Sequence, residues 1–142
     1  MPKLSVWMIR ASLIYMGIGF VFGSLILHHK GIPSYPWTWK LLNPHIEIMI
    51  LGWTIQLVMG VAFAILPRFS DRENRYGAEY LGWWSFYLIN FGVALTALAE
   101  WNISLGLTLL GRLLVLIAIL AFTIMIFPRV KPLAGFAPNQ QS

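Results

Sequence analysis

Four long apolar runs constrain this chain more than any other feature. They cover roughly residues 6–27, 44–66, 79–99 and 104–127 of 142, and a helix that crosses a bilayer needs about 20 mostly apolar residues. A segment in lipid must satisfy its backbone groups internally, so the runs predict transmembrane helices. The expected fold class is all-α, an integral membrane four-helix bundle. It occupies residues 1–131 as one domain, followed over 132–142 by a mobile tail containing Pro, Gly, Asn and Gln. Composition agrees: 58% of residues are hydrophobic and 11% charged, against about 25% charged in a soluble domain. The mean hydropathy is +0.73.

Charge placement sets the expected orientation. Lys3 and Arg10 precede or open the first run, Arg68, Arg72 and Arg75 separate the second from the third, and Arg129 and Lys131 follow the fourth. Lys30 and Lys40 are the clear positives on the other side. The positive-inside rule then puts both termini in the cytoplasm. Trp37, Trp39 and Trp101 mark the outer interface, and Tyr80, Trp83 and Trp84 the inner one. A net charge of +5 distributed in this way flanks a membrane and does not indicate nucleic acid. The chain has no cysteine, which excludes disulfides, thiolate metal sites and covalent heme attachment through a Cys-x-x-Cys-His motif.

Helix breakers fit the same boundaries. Gly31, Pro33 and Pro36 fall in the first loop, Asn43 is placed to cap a second helix with Pro44 in its first turn, and Pro67 and Pro128 end spans. Gly19 and Gly23, with Gly17 nearby, form a GxxxG pattern that suits close helix packing. Ile-Leu-Pro-Arg-Phe closes the second run and Ile-Phe-Pro-Arg-Val the fourth. This echo reads either as a relic of duplication or as a helix stop followed by an inside charge.

Ionisable groups within spans are costly and therefore point to function. Here they are His45, Glu47, Glu100 and Arg112, joined by the interior amides Gln56 and Asn90. At about 100° per residue, Met49, Gly52, Gln56, Met59, Gly60 and Phe63 share a stripe with His45. Glycines on that stripe leave a flat strip of backbone, against which a flat macrocycle can lie while the imidazole reaches its iron. The other reading is an interfacial histidine above packing glycines. Glu47 lies about 200° around the helix from His45, so the two make a poor metal pair. Arg112 suits an ion pair with Glu47 or Glu100, or a clamp on heme propionates. His28 and His29 lie at the level of His45, and adjacent residues diverge by about 100°, so at most one points inward. Each is either a second axial ligand or a solvated interfacial residue. No hydrolase dyad and no glycine-rich phosphate loop is present.

The second run, PHIEIMILGWTIQLVMGVAFAILPRF, resembles the second helix of the catalytic subunit of heme-copper oxidases, chiefly the C-family oxidases and nitric-oxide reductases. The shared pattern is His45, Gly52-Trp53, Gly60 and the closing Leu66-Pro67-Arg68-Phe69. The resemblance implies that His45 is an axial ligand of a low-spin heme b near the outer face. Family members carry twelve or more helices in three pseudo-equivalent groups of four, so this chain resembles one third of such a subunit. That implies a homotrimer in which three copies rebuild the ring. The family's paired histidines would fall in the third run, which has none, and no tyrosine stands four residues after His45. The ligands of a heme–copper centre are therefore missing.

The expectation is a b-type heme protein of the bacterial or archaeal cytoplasmic membrane, serving electron transfer or gas sensing. His45 is its iron ligand, and Met49, His28, His29 or a neighbouring chain supplies the second. Gly52, Gln56 and Gly60 line the macrocycle's strip. Two alternatives stand beside it: a heme-free accessory or scaffold subunit, and an oxygen or nitric-oxide reductase built from three chains. The sequence leaves open whether a redox partner protein or a quinone exchanges electrons with it.

Overall fold

The computed structural model describes residues 1–33, 35–67, 69, 76–102 and 104–130, with only the backbone of 100–102. Arg68, Arg72, Arg75, Lys131, the tail over 132–142 and the side chains of Glu100 and Trp101 lie outside the described residues. Among those described every regular element is a helix. Four helices are long and apolar enough to cross a membrane: Lys3–Gly31, Pro36–Ile65, Glu79–Ala99 and Leu105–Arg129.

The first helix is longer than its apolar run, because Lys3 at one end and His28, His29 and Lys30 at the other continue it beyond the hydrocarbon-compatible residues. The second span is composite. A 3-10 segment, Pro36–Leu41, leads into an α-helical turn, Leu42–Glu47, then a π-helix, Ile48–Ile55, then an α-helix, Gln56–Ile65. Asn43 is therefore not the first cap, since the chain is already helical there and Pro36 opens the span. Proline's fixed φ and missing N–H suit that first-turn position. The π segment bonds i to i+5 and widens each turn. Thr54 Oγ1 follows that spacing, donating to Met49 O at 2.9 Å.

The third and fourth helices form the tightest pair. A Cβ built on Gly92 would stand 2.7 Å from Gly111 O, and one on Gly111 would stand 2.9 Å from Gly92 O. Only the absence of both side chains lets the backbones approach so closely. Side-chain hydroxyls tie the third helix to the fourth and the first to the second: Ser85 Oγ donates to Ala118 O at 2.6 Å, and Ser5 Oγ donates to Gly60 O at 2.7 Å. In a medium without water such bonds replace hydration that the groups have lost.

The core runs down the middle through Leu4, Met8, Met59, Phe63, Ile89, Val93, Val115 and Phe122. The outside is apolar as well. Ile14, Ile65, Phe91, Leu105 and Ile124 are each more than 60% exposed, which suits contact with lipid acyl chains and not with water. The chain is a multi-pass membrane protein. Leu4, Gly82 and Met125 meet at the end of the bundle opposite His45, so both ends of the described chain lie together.

That same end holds a cap. Arg129 is 1% exposed, and it donates through Nε to Pro67 O at 3.0 Å and through Nη2 to Phe63 O at 3.0 Å and Leu66 O at 2.8 Å. Its guanidinium also lies over the Phe63 ring, 4.8 Å from the centroid. The last carbonyls of a helix have no intrahelical partner. A residue from the fourth span thus closes the second.

Candidate functional site

The site is built from the end of the bundle where the second span begins. His45 is half-buried, and its ring packs into the groove left by the GxxxG pair of the first helix. A Cβ on Gly23 would stand 3.0 Å from His45 Cε1, and His45 Nδ1 lies 2.9 Å from Gly19 O. Met49, one turn further in, fills the adjacent space and meets Gly19. The two glycines therefore accommodate a histidine and a methionine, not a second helix backbone.

The hydrogen bond to Gly19 O decides the chemistry of the ring. A carbonyl only accepts, so Nδ1 carries the proton. In the neutral ring Nε2 then holds the lone pair. This is the arrangement that metal-ligating histidines commonly use, with the far nitrogen anchored on a backbone carbonyl. Nε2 also faces the first helix, 3.6 Å from where a Cβ on Gly23 would stand.

His29 has the opposite polarity. It is 8% exposed, and its Nδ1 accepts from the Tyr35 amide at 3.1 Å. Nδ1 is therefore unprotonated and the neutral ring carries its proton on Nε2. Trp39 meets the ring edge-on at 6.2 Å. His29 staples the first loop and offers no lone pair to iron in that tautomer. His28 is exposed. The two adjacent histidines diverge, with one turned inward.

The stripe below His45 is buried at Gly52, Gln56, Met59, Gly60 and Phe63. Its flat strip is covered by the first helix: a Cβ on Gly52 would stand 2.7 Å from the Tyr15 ring, and one on Gly60 2.9 Å from Met8 Cβ. Within one chain these glycines pack helix against helix. Gln56 is fully buried, with neither carboxamide atom hydrogen-bonded among the described residues.

Glu47 faces away from His45, toward the fourth span. Arg112 donates to Glu47 Oε1 through Nε at 3.0 Å and through Nη2 at 2.8 Å. The guanidinium side chain is 55% exposed and the carboxylate side chain 12%. Of the two partners the sequence allows, Glu47 is in contact; the side chain of Glu100 lies outside the described residues. No group of three His, Cys, Asp or Glu forms a metal cluster among the described residues. Comparison with family models, with curated proteins and with solved structures gave no match.

Proposed function

We propose that this chain binds heme b in the cytoplasmic membrane of a bacterium or archaeon, with His45 as an axial iron ligand. It works in electron transfer or gas sensing, in a homotrimer resembling a heme-copper oxidase catalytic subunit divided into thirds. The observation that carries this reading is the His45 Nδ1 contact to Gly19 O at 2.9 Å. It fixes the tautomer and ring orientation and leaves Nε2 as the donor to iron. A heme so bound supplies a one-electron couple whose potential follows axial ligation and burial.

Geometry narrows the second ligand. Axial ligands stand on opposite faces of the macrocycle, whereas Met49 lies one turn from His45 on the same helix. His29 presents a protonated nitrogen. The exposed His28 and a residue of a neighbouring copy are the candidates that remain, and either is reached from outside the bundle, which suits an assembly. Arg112 is engaged with Glu47, so we assign it to that ion pair and not to the propionates. Gly52 and Gly60 belong to helix packing.

A heme-free accessory subunit is the second reading. It is favoured by the Tyr15 and Met8 side chains that fill the glycine strip. One optical spectrum separates the two. After expression with added heme, the purified protein is expected to show a Soret band and sharp reduced α and β bands, absent in His45→Ala. A colourless wild-type protein supports the accessory reading.

A further inference from the structure

The first and second spans meet along a seam of paired positions, and one rung of that seam is polar. Four rungs set a glycine of one span against a side chain of the other. Gly23 packs on His45, Gly19 on Met49, Gly52 on Tyr15 and Gly60 on Met8. The spans run antiparallel, and the paired residue numbers add up to 68, or to 67 at Gly52. Between the Tyr15 and Met8 rungs that register sets Ser12 opposite Gln56. Both residues are 0% exposed, and Gln56 stands near the middle of the second apolar run.

The two side chains differ in what they still need. Ser12 Oγ donates to Ile9 O at 2.8 Å, a bond that uses its proton and spares its lone pairs. Neither Oε1 nor Nε2 of Gln56 is hydrogen-bonded among the described residues, and both atoms are buried. A carboxamide sealed in this way is costly, because hydrocarbon offers no replacement for the missing partners. The group that satisfies it must accept from Nε2 and donate to Oε1. It must be neutral, because the adjoining rungs carry Tyr15, Gly52, Met8 and Gly60 and no charge. It must also be small, because Tyr15 and Met8 close the seam on either side. Water meets all three conditions.

We propose that Ser12 and Gln56 hold one buried water between the first and second spans. The water accepts from Gln56 Nε2, donates one proton to Gln56 Oε1 and the other to Ser12 Oγ. That makes the roughly three bonds usual for an internal water. The bridge also locks the register. Sliding the spans by one rung would face the carboxamide with Met8 or with the Tyr15 ring, and would move His45 off Gly23. A single polar rung in an apolar helical seam fixes alignment in this way.

A crystal structure of the full chain grown from lipid, at a resolution that shows ordered water, tests this. One peak is expected within about 2.7–3.2 Å of Gln56 Oε1, Gln56 Nε2 and Ser12 Oγ. The peak should disappear in Gln56→Met, which keeps the length of the side chain and removes its polar atoms. It should lose occupancy in Ser12→Ala, which removes one of its three partners. The wild-type chain alone carries the test if either variant fails to fold. Absence of the peak overturns the proposal, whether the carboxamide then bonds Ser12 directly or another protein group. A peak that persists at full occupancy in Gln56→Met also overturns it.

Discussion

His29 and His45 differ here by a single proton position. His45 meets a carbonyl and His29 meets an amide N–H, both through Nδ1. This has a direct consequence. His29→Ala should leave any heme spectrum intact and cost about 0.5–1.5 kcal/mol through the lost bond to Tyr35, read as a lowered thermal midpoint in detergent. Spectral loss in His29→Ala at an unchanged midpoint would contradict that division of roles. Arg129 is the larger lever. Removing a buried partner leaves each acceptor unsatisfied at roughly 1–3 kcal/mol, so Arg129→Met, which orphans three carbonyls, should cost at least about 3 kcal/mol by the same bookkeeping. Arg129→Lys should recover part of it. The sequence marked Arg129 only as an inside-flanking charge. Its capping role was illegible because it joins residues 62, 63 and 66 positions apart, and no local pattern encodes such a distance.

The helices themselves were largely legible, for physical reasons. Apolar length decides which segments enter lipid, and all four runs coincide with helices. Their ends were less so. Polar residues such as His28 and Lys30 extend the first helix, and Pro36 starts the second eight residues before Pro44. The stripe containing Gly52, Gln56 and Gly60 was visible from helical periodicity, but what covers it was not. Periodicity gives a direction around a helix and says nothing of the neighbour, which is Tyr15 and Met8. The π segment was also hidden, since Ile48–Ile55 reads as an ordinary apolar run. At this scale Gly92 and Gly111 are decisive. Gly92→Val should split the third helix from the fourth, lowering the thermal midpoint sharply. Gly17→Ala, with nothing within 4 Å of its Cβ, should be neutral or raise it, because alanine gains about 1 kcal/mol in helix propensity. Equal effects from the two changes would refute the close crossing.

For the molecule as a whole, the chain's lack of cysteine makes topology simple to measure. Single cysteines at Lys40 and at Lys3 should react oppositely with an impermeant thiol reagent applied to whole cells, with Lys40→Cys labelled and Lys3→Cys protected. The reverse pattern would invert the orientation derived from the positive charges. An assembly of three chains of 16.1 kDa should appear by native mass spectrometry in mild detergent, and a stable monomer would remove a neighbouring copy as the source of the second axial ligand. The claim on which the rest turns is the bond between His45 Nε2 and iron. Cavity rescue measures it most directly: His45→Gly is purified after expression with heme, and the Soret band is recorded with and without added imidazole. We expect absorbance in the wild type, its loss in His45→Gly, and its return as free imidazole occupies the space beside Gly23. A Soret band in His45→Gly as strong as in the wild type, without imidazole, would contradict the account.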